Sequence, residues 1–160
     1  MVDSSSGGID VPVGFRSAAS ARALAHIALE YADGRVYMDA PEGPYIRSIP
    51  TQRVAQLDAA LDRGGGADRT TRFRVPESVR PSGVFMHQGG RMGVLVSAPE
   101  GSLSSEVIKG LARITERNAF DGMASTEDGR VAILGIDPTV VTEVIALAEQ
   151  LGLTARTGGV

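Results

Sequence analysis

Two stretches of this chain resemble each other, and this internal repeat limits the possible folds more than any other feature. Residues 12–64 recur about 87 positions later as residues 99–152. A duplication of this kind predicts two similar units related by a pseudo-two-fold axis, and the seam between such units is a natural place for a ligand. The matched residues include Pro12 and Pro99, Gly14 and Gly101, Ser17 and Ser104, Leu24 and Leu111, Ile27 and Ile114, and Ile49 and Ile136.

Each copy has the pattern of a β-α-β-β-α unit. In the first copy, Ser17 can cap a helix with apolar residues at i, i+3, i+4 spacing. A hairpin then surrounds the turn at 41–43, and a second helix ends at the glycines of 64–66. The second copy repeats this order after an added hairpin over 84–96. Helices that follow mostly antiparallel strands predict an α+β fold, in which two half-domains pair with their helices on one face of the sheet.

Composition along the chain sets the expected boundaries. We expect a disordered tail at 1–8, a first half-domain at 9–66, and an extended linker with arginines and prolines at 67–82. A second half-domain at 83–154 and a flexible tail at 155–160 complete the prediction.

Charge and composition exclude several classes of function. The net charge of -3 and the aromatic content of 4% argue against a nucleic-acid-binding protein, which needs a positive field and stacking side chains. No apolar run approaches the ~20 residues that cross a bilayer, so we expect a cytoplasmic protein without a membrane partner. The chain has no cysteine and two histidines, so we expect no metal site and no cysteine-ligated cluster.

Two longer stretches carry a resemblance to a known family. These stretches read DGRVYMDAPEGPYIRSIPTQRVAQLDAAL at 33–61 and GVFMHQGGRMGVLVSAPEGSLSSEVIKGLARI at 83–114. They resemble the ferredoxin-like half-domain of nitrite and sulfite reductases and of precorrin-3B synthase. The resemblance extends over most of residues 9–153 and implies that the two half-domains form one pseudo-symmetric body.

The chain departs from this family where the cofactors would be held. In the family, siroheme and a four-iron cluster are held by intervening modules whose ligands are cysteines, whereas here the linker is short and cysteine is absent. We therefore expect no cofactor. The family's arginine in the middle turn is also missing from the matching stretch at 39–44. The resemblance implies that Arg47 and Arg130 are the remaining ligand-binding arginines.

Two side chains are candidates for acid–base catalysis. His87 lies just before Gly89-Gly90, where an imidazole could reach a cleft and exchange a proton near neutral pH. The alternative is a solvent-facing histidine of a turn. Tyr45 lies across the first hairpin turn from Tyr37, and both could line a pocket with Arg47. Their alternative is a packing role with a satisfied hydroxyl group.

The linker offers a further set of cations. Arg72 and Arg74 alternate with Phe73 and Val75, which is typical of an extended segment with one basic face. This face could bind carboxylates or phosphates. Alternatively, its charges only discourage the addition of further strands to a sheet edge.

Three hypotheses about function follow. The first is a metal-free relative of the siroheme reductases that binds a small acidic or polar molecule, or a partner protein, at the seam, in a cobalamin, tetrapyrrole or specialised biosynthetic pathway. The second is a cofactor-independent isomerase, cyclase or lyase that uses acid–base residues in the seam. The third is the scaffold subunit of a split reductase. A homodimer is compatible with the first hypothesis.

Overall fold

The fold is given by a computed structural model that describes residues 8–39, 44–63 and 73–155. Its four α-helices in the described residues are α1 (Ala18–Tyr31), α2 (Val54–Arg63), α3 (Ser105–Asn118) and α4 (Val141–Gln150). Its eight strands in the same residues are β1 (Gly8–Pro12), β2 (Arg35–Tyr37), β3 (Tyr45–Pro50), β4 (Val84–Met86), β5 (Met92–Val96), β6 (Ser102–Ser104), β7 (Ala119–Ser125) and β8 (Val131–Ile136).

The strands form two antiparallel sheets of four strands each. Sheet 1 has the order β1-β3-β2-β6, and sheet 2 has the order β4-β5-β8-β7. The helices pack on the inner faces of both sheets around one main core, with α1 against α3. The predicted α+β class with two ferredoxin-like halves is confirmed.

The repeat seen in the sequence is also present in the structure. Helices α1 and α3 each have 14 residues, α2 and α4 each have 10, and the second helix of each pair starts 87 positions after the first. Ser17 caps α1, as predicted, and Ser104 caps α3, because each hydroxyl oxygen accepts a backbone N–H of the first turn.

At the seam, the two copies are joined by backbone hydrogen bonds between their strands. Strand β6 of the second copy pairs with β2 of the first, with Tyr37 opposite Ser102. Reciprocally, Ser125 at the end of β7 donates its backbone N–H to the carbonyl of Phe15 at 3.0 Å. Each copy therefore contributes an equivalent segment that hydrogen-bonds to a strand of the other copy, as pseudo-two-fold symmetry requires.

A buried serine fastens the helices across the seam. The Ser105 hydroxyl at the start of α3 lies 2.9 Å from the Ala25 carbonyl and 3.0 Å from the Gly34 carbonyl. Because a buried hydroxyl without a partner is costly, this contact fixes where α3 meets α1.

The linker breaks the symmetry of the two sheets. Three of its apolar side chains pack on the outer face of sheet 2, which faces away from the helices. These residues are Phe73, Val75 and Val79, and they cover Phe85, Leu95, Ala132 and Leu134. At the 87-residue offset of the repeat, Tyr45 and Arg47 of sheet 1 correspond to Ala132 and Leu134 of sheet 2. Sheet 1 thus has aromatic and cationic side chains where sheet 2 has a small apolar core.

Gly8 and Ala155, which the expected tails include, belong to the described fold. Gly8 belongs to β1, where it pairs with Pro50, and Ala155 is buried. Residues 1–7, 64–72 and 156–160 lie outside the described part of the chain, as does the turn at 40–43. No helix of the described residues is long and apolar enough to cross a membrane.

Candidate functional site

Two tyrosines and an arginine form a platform on the outer face of sheet 1. Tyr37 of β2 and Tyr45 of β3 are register partners, and their rings stack with 5.5 Å between centroids and 25° between planes. The guanidinium carbon of Arg47 lies 4.3 Å from the centre of the Tyr37 ring. Tyr37, Tyr45 and Arg47, which we call the aromatic platform, point outwards because their sequence neighbours Val36 and Ile46 face the core.

Both phenol groups are held in the protonated state. The Tyr37 hydroxyl donates to Asp33 at 2.6 Å, and the Tyr45 hydroxyl donates to Asp39 at 3.1 Å. The hydrogen bond to Asp33 and then burial raise the pKa of Tyr37. Burial and then the hydrogen bond to Asp39 raise the pKa of Tyr45. At neutral pH these tyrosines are therefore hydrogen-bond donors and stacking surfaces rather than bases.

The second copy completes this surface at the seam. Arg35 of β2 donates from Nη1 to the Ser102 hydroxyl of β6 at 2.8 Å, and the same atom lies 3.7 Å from Glu100. Arg35 also lines a cleft of about 220 Å³, whose wall includes the apolar side chains of Val107, Leu151 and Leu153. Since Arg35 and Tyr37 share one face of β2, the cleft and the aromatic platform are adjacent.

The charge of Arg130 is neutralised by Asp128, a carboxylate of the same turn. Its Nη2 and Nε donate to one oxygen of Asp128 at 2.5 and 3.0 Å. Burial raises the pKa of Asp128, but the hydrogen bonds from Arg130 and Thr126 outweigh burial and hold the pKa below its ordinary value. The turn lies beside the end of β2, where Gly129 abuts the Met38 carbonyl. Arg130 is thus placed at the seam with its charge already matched.

His87 lies in a different part of the molecule. Its Nε2 is 3.3 Å from the Asp121 carboxylate, and 13% of its side chain is exposed. Asp121 belongs to the first half of β7, whereas the Arg130 turn follows the end of that strand. The two sites are therefore separated by about 14 Å or more along the strand.

The predicted site residues fall into separate groups. Tyr45 and Arg47 are together on the aromatic platform, Arg130 is in the seam turn, and His87 is at the far end of sheet 2. Arg74 is exposed on the linker, and Arg72 lies outside the described residues. An acid–base site that combines His87 with Tyr45, Arg47 and Arg130 is therefore not formed in the described part of the chain.

Sequence reasoning missed two further members of the platform region, Arg35 and Ser102. The alternation of Arg35, Val36 and Tyr37 indicated that Arg35 shares the face of Tyr37. Ser102 had no comparable signal, because its place depends on pairing between β6 and β2 across the repeat.

The residues present do not fit the metal cofactors that the family resemblance implies. The chain has no cysteine to ligate an iron–sulfur cluster. The residues that the structure describes also contain no group of three or more histidine, aspartate or glutamate side chains placed to hold a metal ion. We derive no chemistry through siroheme or a cluster.

Comparisons with known proteins show a likeness to solved structures but not to family models or curated sequences. No protein-family model and no curated protein sequence matches the chain. The solved structure of the Mycobacterium tuberculosis NirA protein is similar over 65% of this chain, with 22% sequence identity and a TM-score of 0.45. The match spans 19% of the NirA chain, so this protein corresponds to about a fifth of that structure.

Proposed function

We propose that this protein binds a small acidic molecule on the outer face of sheet 1, beside the seam. The observation that carries the proposal is the aromatic platform, which occupies the sheet face that the linker covers in the other copy. A half-buried tyrosine pair next to an arginine offers stacking to a flat group and an ion pair to a carboxylate.

The charges around the platform support an anionic ligand. Arg47 is exposed, and no carboxylate of the described residues lies within 4.0 Å of its guanidinium. Among the described residues, Arg47 therefore has no carboxylate partner, whereas Arg130 is already paired with Asp128. Arg35, held by Ser102 and 3.7 Å from the exposed Glu100 carboxylate, is a second, partly matched cation at the mouth of the adjoining cleft.

The class of ligand follows from this chemistry together with the family resemblance. A planar molecule with several carboxylates would place its ring on Tyr37 and Tyr45 and its acidic groups on Arg47 and Arg35. Tetrapyrroles have these properties, as do aromatic polyacids. We therefore propose a metal-free binding protein in a tetrapyrrole, cobalamin or specialised biosynthetic pathway.

Titration with uroporphyrin, a planar polycarboxylate, tests this function. We expect saturable binding that weakens about tenfold in Arg47→Ala and in Tyr37→Leu, because each change removes roughly 1.4 kcal/mol or more of interaction. Arg74→Ala is the matched control, since Arg74 is an exposed arginine away from the platform. Citrate, a flexible polycarboxylate, separates the contribution of charge from that of stacking. Absence of saturable binding, or equal binding by all variants, would refute the proposal.

A further inference from the structure

Three cations form a row on α3, on the helical side of the molecule. Lys109, Arg113 and Arg117 are spaced four residues apart, so they lie along one side of the helix. In the described part of the chain, no carboxylate lies within 4.0 Å of any of the three. By contrast, Glu116 on the same helix pairs with Arg22 at 2.8 Å. Among the described residues, the row therefore has no carboxylate partner, whereas Arg22 of α1 and Glu116 of α3 neutralise each other.

This row borders a groove between α3 and α4. The groove has a volume of about 260 Å³ and is lined by Arg113 and Arg117 together with Ile114, Leu147 and Leu151. Its rim is therefore cationic and its floor apolar. We call this site the basic groove, made of Arg113, Arg117, Ile114, Leu147 and Leu151. Lys109 lies about one helical turn before Arg113, beyond the groove lining.

A second cleft continues the basic groove past the end of α3. Arg117 and Asn118 line both clefts, and the second, also of about 260 Å³, extends past Glu116 and Asp137 to Phe120. Phe120 is 74% exposed, and the guanidinium carbon of Arg91 lies 4.0 Å from the centre of its ring. An exposed aromatic ring beside a cation is a common anchor point in protein interfaces.

The repeat shows that helix packing does not require these cations. At the 87-residue offset, Lys109, Arg113 and Arg117 correspond to Arg22, His26 and Glu30 of α1. The same position in the fold therefore tolerates mixed charge. The helix dipole favours a cation near the C-terminus, which accounts for Arg117 alone, since Lys109 and Arg113 lie further from that end.

We propose that the basic groove binds an acidic amphipathic helix of a partner protein. The row from Lys109 to Arg117 is about 12 Å long, which matches two turns of a helix. Such a helix would place leucine-type side chains on Ile114, Leu147 and Leu151 and its carboxylates on the cationic rim. A nucleic acid fits less well, because the groove floor is aliphatic and has no aromatic ring on which a base could stack. This inference does not depend on the proposed function.

Fluorescence anisotropy with a labelled synthetic peptide tests the inference. The probe is an acidic helical peptide with leucine at i, i+3, i+4 and i+7 and glutamate elsewhere. We expect saturable binding that weakens with salt and falls about tenfold or more in the double variant Arg113→Glu/Arg117→Glu. The double variant Arg63→Glu/Arg74→Glu changes charge equally, away from the groove, and should bind as the wild type does. Circular dichroism melting confirms that each variant folds.

Three results would overturn the inference. One is the absence of saturable peptide binding to the folded wild type. The second is equal loss of binding in both double variants, which would show that only net charge matters. The third is evidence for a different occupant. Binding of a single-stranded oligonucleotide as tightly as the peptide would point to a nucleic acid. Self-association of the chain that Arg113→Glu/Arg117→Glu abolishes would point to a second copy. The variant Leu147→Asn should weaken peptide binding without changing the charge of the groove, because it replaces only an apolar contact.

Discussion

Tyr37 and Tyr45 stack across β2 and β3, with ring centroids 5.5 Å apart, on a face of sheet 1 that points away from the helices. The corresponding face of sheet 2 is closed by the linker, through Phe73 and its neighbours. One duplicated unit has therefore kept a solvent-facing aromatic surface, whereas the other has buried its surface as a second small core. This asymmetry is the basis of the proposed function.

The first prediction concerns the segment that covers sheet 2. Phe73 packs on Phe85 with 5.7 Å between ring centroids, and it also bridges to Thr126. We expect Phe73→Ala to lower the free energy of unfolding by about 2 kcal/mol, less than for a fully buried phenylalanine. Urea denaturation measures this change. Arg74→Ala, an exposed neighbour, should leave stability nearly unaltered, and equal stability of both variants would show that the linker does not cover the sheet.

The second prediction concerns the contact between the β7–β8 turn and β2. Gly129 has a φ of 84°, and a Cβ atom there would lie within 2.4 Å of the Met38 carbonyl oxygen. Gly89 also has a positive φ, 64°, but a Cβ there would meet nothing within 4 Å. In both alanine variants the positive φ lowers the free energy of unfolding by about 1 kcal/mol.

Gly129→Ala should lower the free energy of unfolding by roughly 2 kcal/mol more than Gly89→Ala does, because only the methyl group at position 129 collides with backbone across the seam. Thermal unfolding of the two variants gives the comparison. If both lose the same stability, the turn does not dock on β2.

The third prediction concerns alkaline pH. The pKa values of Tyr37 and Tyr45 are raised above 10.0 in the folded protein, so the folded state holds these protons more tightly than the unfolded state. Their stabilising contribution is complete below pH 10.0 and decreases as pH rises from there through the folded pKa values. Denaturant unfolding across this range should show stability decreasing with pH.

The double variant Tyr37→Phe/Tyr45→Phe provides the control for that titration. Its stability should decrease less between neutral and alkaline pH than that of the wild type. A decrease of the same size in both proteins would mean that other groups cause the pH dependence.

Local signals in the sequence predicted much of this fold. The apolar spacing and Ser17 predicted α1, and the glycines at 89–90 predicted the β4–β5 hairpin, because helices, caps and tight turns depend on neighbouring residues. The three-residue strand β6 was not predicted, since its partner β2 lies in the other copy and pairing of this kind has no local pattern.

The candidate site was predictable only in part for the same reason. The hairpin placed Tyr37, Tyr45 and Arg47 near one another in sequence, and the structure brings them together. The pairing of His87 with Asp121 and of Arg130 with Asp128 depends on side-chain geometry that spacing does not encode. The packing of Phe73 on sheet 2 was also not predicted, because the arginines that alternate with it in the linker suggested a basic face rather than an apolar one.

A backbone amide NMR titration of the whole protein with uroporphyrin locates the binding surface residue by residue. Binding at the aromatic platform predicts that the largest shift changes occur at Tyr37, Tyr45, Arg47 and Ser102, on the outer face of sheet 1, and that they are reduced in Arg47→Ala. Changes confined to sheet 2 or to the linker around Phe73, or no changes at all, would contradict it.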